Sequence, residues 1–149
     1  MNSNIFLDSQ LPKSLGDALQ AIGFTTPTPI QQQAIPAALK GSDVLGIAQT
    51  GTGKTAAFCI PMASRLLANP AETALVLVPT RELAIQIEQF WKQLASKTPA
   101  LTSAVIVGGT SMFPQMKNLS RKPRLIVATP GRLVDHLGRH SVKLANVGV

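Results

Sequence analysis

The chain has 149 residues, 45% of them hydrophobic and 14% charged, and a net charge of +7. That length suits one domain able to bury a core, and the composition is globular rather than disordered. No apolar run approaches the roughly 20 residues of a membrane-spanning helix. Met1-Asn2-Ser3-Asn4 lacks the basic-then-apolar layout of a secretory leader, and the single cysteine, Cys59, excludes an internal disulfide or a cysteine-cluster metal site. A cytosolic, soluble protein with no membrane partner is expected.

The charge is unevenly spread. Residues 1–96 carry six Lys and Arg against six Asp and Glu. Residues 97–149 carry Lys97, Lys117, Arg121, Lys122, Arg124, Arg132, Arg139 and Lys143 against Asp135 alone. A basic segment confined to one part of a fold points to a polyanionic partner, nucleic acid first, with an ordinary solvated surface as the competing reading.

Along the chain, residues 12–22 predict a helix: Pro12 suits a first turn, Leu15, Leu19 and Ile22 line one side, and Gly23 stops it. Thr28-Pro29 opens a second helix, a hydroxyl cap followed by proline at the first helical position, and Pro36 is expected to break or bend it before Gly41. An apolar run at 43–47 reads as a strand. It leads into Ala48-Gln49-Thr50-Gly51-Thr52-Gly53-Lys54-Thr55 and then a helix, the strand, loop and helix of a P-loop. Gly51 and Gly53 allow positive φ, so backbone N–H groups can turn toward phosphates. Lys54 sets a cation on the β/γ oxygens and the Thr55 hydroxyl is placed to ligate Mg²⁺, while the following helix points its positive end at the same anion. Lys54 and Thr55 are therefore the catalytic candidates, with Thr55 the metal ligand. The strict pattern has glycine where Ala48 stands. Cys59 falls on the apolar face of the helix and reads as packing.

Further strands are expected at about 74–78, 103–107 and 124–128, each short and apolar on both faces, alternating with helices as in a mostly parallel sheet. After Thr80, Leu83, Ala84, Ile87, Trp91 and Leu94 fall on one stripe, so Phe90 and Trp91 read as core rather than as a stacking platform. His136 and His140 share an i, i+4 spacing without a carboxylate to complete a metal site, and read as a solvated helix end. Asn146-Val147-Gly148-Val149 begins another apolar strand, which gives the chain the look of a fragment.

Over essentially its full length the chain resembles the N-terminal RecA-like lobe of the DEAD-box ATP-dependent RNA helicases. Phe6 stands upstream of Gly23-Phe24-Thr25-Thr26-Pro27-Thr28-Pro29-Ile30-Gln31, which is similar to the Q motif. Ala48–Thr55 matches the family's motif I, where alanine in the first position is usual. Pro79-Thr80-Arg81-Glu82-Leu83-Ala84 resembles motif Ia, Gly108-Gly109 the double-glycine motif, and Thr129-Pro130-Gly131-Arg132 motif Ib. The resemblance implies an α/β RecA-like P-loop NTPase lobe, mostly parallel with helices on both faces and truncated at the C-terminus. Residues 1–41 would form the Q-motif region and 42–149 an incomplete α/β core. It also implies ATP and Mg²⁺ as cofactors, and ATP hydrolysis coupled to local RNA unwinding in the parent protein.

Residue by residue, the Gln31 amide can pair with N6 and N7 of adenine, and only the motif register separates it from Gln32 and Gln33. The resemblance sets the segment Phe24–Gln31, with Thr26 in it, on the base. Phe24 itself fits either the purine face or the core. Pro79, Thr80, Arg81, Glu82, Gly108, Gly109, Thr129, Pro130, Gly131 and Arg132 are implied for RNA, through backbone contacts that make recognition sequence-independent. Plain helix starts, and a salt-bridged Arg81, are the competing structural readings. The family's Asp-Glu-Ala-Asp motif is expected directly after Val149. The 149-residue piece is thus expected to bind adenine nucleotide weakly, to hydrolyse almost none, and to self-associate through open sheet edges or show a distorted P-loop. The alternatives are a P-loop DNA helicase of the same superfamily and a non-enzymatic nucleotide- or RNA-binding module.

Overall fold

The structure, a computed structural model, describes residues 10–149. Phe6 and the segment Met1–Asn4 lie outside the described residues. The elements run α1 (Lys13–Ala21), α2 (Pro29–Leu39), α3 (Lys54–Ala68), β1 (Ala74–Leu77), α4 (Arg81–Leu94), a short 3-10 turn (Ala95–Lys97), β2 (Ser103–Ile106), α5 (Met112–Ser120), β3 (Leu125–Ala128) and α6 (Pro130–Gly138). The three strands form a parallel sheet in the order β1-β3-β2, with Ala74 and Ser103 both level with Leu125.

Strand periodicity divides the core into two layers. Leu125 and Val127 of β3 face α1, α3 and α4, where Leu15, Ile60, Leu66, Ile87 and Trp91 are buried. Ile126 and Ala128 face the other way, packing with Ala104 and Ile106 of β2, Leu119 of α5 and Leu133 of α6. Trp91 is fully buried and donates its indole N–H to the Leu101 carbonyl at 3.0 Å, so its polar end is satisfied. Phe90 is half-buried beside this core and meets Phe24 at a ring-centroid distance of 5.6 Å. Cys59 is buried in the same layer, and burial pushes its thiol far above the ordinary range.

Two local expectations, a break in α2 at Pro36 and a strand at 43–47, are corrected. The helix α2 runs through Pro36 to Leu39 without breaking. Pro36 removes one internal hydrogen bond, at a cost of about 3 kcal/mol in an isolated helix. Packing of α2 along α3, with Ala34 and Ile35 buried, offsets it.

The apolar run at 43–47 is not a strand. Val44, Leu45 and Ile47 are exposed, the last two at 88% and 86%. A strand exists only beside a neighbour that takes up its N–H and C=O groups. On its edge away from β3, β1 is bonded to the segment 146–149: Thr73 N–H donates to the Asn146 carbonyl at 2.9 Å, Gly148 N–H to Thr73 at 3.0 Å and Leu75 N–H to Val149 at 2.9 Å. Residues 43–47 find no sheet partner among the described residues.

Candidate nucleotide and nucleic-acid site

The P-loop is held from the side of α2. Thr28 caps α2 with Pro29 at its first position, and Gln31 Oε1 accepts from the Thr28 N–H at 3.0 Å, one half of a capping box. Gln31 is only 2% exposed. Its Nε2 donates to the Gly53 carbonyl at 3.1 Å, and Thr28 Oγ1 donates to the Thr52 carbonyl at 2.8 Å. The segment expected on the base therefore grips the loop expected on the phosphates. Each end of the Gln31 amide is engaged once, which leaves one N–H and one lone pair. Neither Gln32 nor Gln33 is buried, and Gln32 reaches only back to the Pro27 carbonyl. Thr26 is exposed just ahead of the cap, and Phe24 is half-buried against Phe90.

Inside the loop, Gly51 and Gly53 have φ of +82° and +87°, the left-handed conformation that favours glycine. At Gly51 a Cβ would meet nothing within 4 Å, so only the dihedral demands glycine. At Gly53 a Cβ would collide with Gln31 Nε2 and lie 3.1 Å from Thr28 Oγ1, so close approach demands it as well. Thr52 Oγ1 donates to the Gln49 carbonyl at 2.6 Å and tightens the turn. Lys54 Nζ reaches back across the loop to the Ala48 carbonyl at 2.6 Å. Thr50 is exposed at the start of the turn, and Thr55 is half-buried in the first turn of α3. A shallow cleft of about 220 Å³, lined by Pro29, Ile30, Gln33, Ile47, Ala48 and Thr52, lies where α2 meets the loop.

The remaining candidates sit at the carboxyl ends of the three parallel strands, the edge at which open α/β sheets bind ligands. After β1, Pro79, Thr80, Arg81 and Glu82 are exposed, and Thr80 Oγ1 caps α4 by accepting from the Leu83 N–H at 3.2 Å. After β2, Gly108 and Gly109 are exposed and Gly109 has φ +77°. A Cβ there would come within 3.5 Å of Arg81 Nη1, so the guanidinium lies against this backbone. No salt bridge holds Arg81 among the described residues. After β3, Thr129 stands at the N-cap position of α6 without a side-chain cap bond, its N–H bonded to the Ile106 carbonyl at 3.0 Å, with Pro130 and Gly131 exposed. Arg132 Nη1 donates to the Thr110 carbonyl at 3.1 Å, and its side chain is only 15% exposed. All three loops thus meet on one edge.

A family model described as DEAD/DEAH box helicase matches residues 28–149. The chain belongs to the DEAD/DEAH box helicase family. It is 52% identical over 133 residues to the ATP-dependent rRNA helicase RRP3 of Pyricularia oryzae, covering 89% of this chain and 24% of that protein. The RRP3 of Yarrowia lipolytica is likewise 52% identical over 133 residues, with 28% of its length covered. The RNA helicase Prp28 of Chaetomium thermophilum, solved bound to ADP, superposes with a TM-score of 0.85 at 41% identity, over 95% of this chain and 36% of that one. The chain therefore spans about a quarter of the curated relatives it matches, and its α/β architecture is that of a RecA-like helicase lobe.

In this DEAD-box lobe the charge distribution departs from the sequence expectation. Helices run back along parallel strands, so the helix ends after α5 and α6 lie at the edge opposite the candidate loops. The backbone shows it: Arg124 N–H bonds to Thr102 ahead of β2, and Asn146 bonds to Thr73 ahead of β1. Arg121, Lys122, Arg139 and Lys143 are exposed on these far turns. Arg124 is a clamp rather than a surface cation, donating to the carbonyls of Glu72 at 2.9 Å, Asn69 at 3.0 Å and Leu66. Of the eight cations in the second half, Arg132 stands on the candidate edge.

A second correction concerns His136, which is fully buried rather than solvated, while His140 is exposed. His136 Nε2 lies 2.9 Å from Gln115 Oε1 and Nδ1 lies 2.7 Å from Ser141 Oγ. Gln115 Nε2 donates to the Val107 carbonyl and to Thr110 Oγ1, both at 2.9 Å. Gln115 and Ser141 carried no signal in the sequence. One is a polar residue inside an amphipathic helix and the other a loop serine.

Proposed function

We propose that the chain is the adenine-nucleotide- and RNA-contacting part of an ATP-dependent RNA helicase that couples ATP hydrolysis to local strand separation. The observation carrying this reading is the buried Gln31 amide, which ties the Q-motif region to the Gly53 carbonyl, so that the base and the phosphate tail are sensed by one connected unit. Ala48–Thr55 binds the phosphates, with Lys54 exchanging the Ala48 carbonyl for phosphate oxygens. Gln31 contacts adenine through its remaining N–H and lone pair, with Phe24 and Thr26 beside it. Pro79–Glu82, Gly108, Gly109 and Thr129–Arg132 take the RNA backbone. The relatives are named an rRNA helicase and an RNA helicase, which supports RNA over DNA. Thr55 fits Mg²⁺ as a hard oxygen donor. Thr55 would hold the ion together with phosphate oxygens of the bound nucleotide. When bound, the ion neutralises charge developing on the phosphates. The reading has the 149 residues themselves bind adenine nucleotide without appreciable turnover, and a turnover assay against Lys54→Ala checks that part of it. Titration calorimetry tests the reading: ATP and ADP bind in preference to GTP, and Lys54→Ala abolishes binding. Equal affinity for GTP overturns it.

The reading treats residues 1–41 as the Q-motif region and 42–149 as an α/β core, in a cytosolic protein. It also includes self-association. The β1 edge past Leu75 and the exposed Val44, Leu45, Ile47 and Leu77 invite a second copy of this chain, because unpaired edges recruit strands.

A further inference from the structure

The polar cluster between α5 and α6 joins two of the strand-end loops. Gln115 spends both amide hydrogens on the loop after β2, on Val107 and Thr110 Oγ1, so its Oε1 is left as acceptor. That oxygen receives His136 Nε2 at 2.9 Å and lies 3.5 Å from Arg132 Nη1. The tautomer of His136 follows: Nε2 carries hydrogen. We propose that His136 is a positioning residue for RNA binding, acting through Gln115 to lock the double-glycine loop to Arg132 so that both meet the RNA backbone as one rigid unit. This rests on the reading above that Gly109 and Arg132 contact RNA.

The cluster also makes the lock proton-dependent. In neutral His136, Nδ1 is an acceptor, and the single Ser141 hydroxyl proton is shared between Nδ1 at 2.7 Å and the His136 carbonyl at 3.1 Å. On protonation Nδ1–H donates to Ser141 Oγ, whose own proton turns wholly to the carbonyl. No local hydrogen bond is lost. The opposition is electrostatic. Burial and the nearby Arg132 and Arg139 hold His136 below its ordinary range against the opposing pull of Asp135, while α5 and the turn after α6 contribute the uncharged Gln115 and Ser141. A cation formed at His136 repels the Arg132 guanidinium from the Thr110 carbonyl. Acid therefore unlocks the edge.

Anisotropy of a fluorescein-labelled single-stranded RNA oligomer at low salt, with the 149-residue chain, tests this. His136→Leu is expected to weaken binding about tenfold, on the scale of one or two lost net hydrogen bonds. His136→Gln, which keeps a donor near Nε2, restores most of it and flattens the acid limb of the affinity profile. Arg132→Ala tests the underlying reading. If it leaves affinity unchanged, the RNA assignment of this edge fails. If it weakens binding while His136→Leu does not, the positioning role fails and the RNA assignment survives. Should His136→Leu not fold, the wild-type chain decides by NMR. The Gly109 amide and Arg132 Nε–H resonances shift with the apparent pKa of His136, and pH-independent signals through that titration overturn the proposal.

Discussion

Gln31 Nε2 donates to the Gly53 carbonyl at 3.1 Å across 22 residues of chain, and this bond is where the base-recognition segment and the phosphate loop become one object. Gln31→Ala removes it and also leaves the Thr28 N–H unsatisfied. Losing the partners of part-buried polar groups costs about 1–3 kcal/mol. We expect a lowered urea midpoint together with weaker ADP binding. An unchanged midpoint would show that the loop does not depend on the amide.

The two loop glycines separate dihedral strain from crowding. Gly51→Ala adds only the left-handed penalty, about 1–2 kcal/mol, because a Cβ there meets open space. Gly53→Ala adds the same penalty and drives a methyl into Gln31 and Thr28. The second variant should be the less stable in denaturant melts and should lose nucleotide binding. Equal stabilities would contradict the geometry.

Trp91, the one tryptophan of the chain, reports on the larger core. Its emission should be blue-shifted in the native state and move red in a single cooperative step. Trp91→Phe orphans the buried Leu101 carbonyl, at about 1–3 kcal/mol, and lowers the midpoint accordingly.

The thiol of Cys59 is buried with its pKa pushed up, so almost no thiolate exists at pH 8. A disulfide reagent should label it only as fast as the fold opens, with a rate that climbs with urea. Rapid labelling of the native chain would place Cys59 outside the core.

Acid should destabilise the fold through His136. Its folded pKa is depressed below the ordinary value of about 6.5, so the unfolded chain takes up the proton first. The stabilising contribution is complete above pH 6.5 and declines as pH falls through 6.5 toward the folded value. Urea midpoints measured from pH 7.5 down to 5 should fall, and His136→Gln should remove part of that slope.

Self-association should be visible in sedimentation velocity as a concentration-dependent rise in the weight-average coefficient. Leu45→Lys with Ile47→Lys should suppress it by charging the exposed run. A concentration-independent monomer would refute pairing at this edge.

Much of the fold was legible. The stripe Leu83–Leu94, the Thr28-Pro29 start and the Gly23 stop are satisfied by neighbours within one or two turns, and helices stand there. The strands after residues 73, 102 and 124 agree with their apolar patterns to within a residue at either end. The motif residues fall as spaced, with the loops after all three strands on one edge.

The residues of the chain by themselves determined that Gly51 and Gly53 take positive φ, where the helices after Thr28 and Thr80 start, which faces are apolar and which family the motifs spell. All of these depend on short-range sterics and hydrogen bonds. Tertiary structure alone decided four other matters: that 43–47 lies unpaired, that His136 is a buried hub, that Arg124 is a clamp, and that Gln31 turns inward to Gly53. A strand needs a neighbour's N–H and C=O groups. A polar side chain's role is set by the partner it meets, and those partners come from segments far away along the chain.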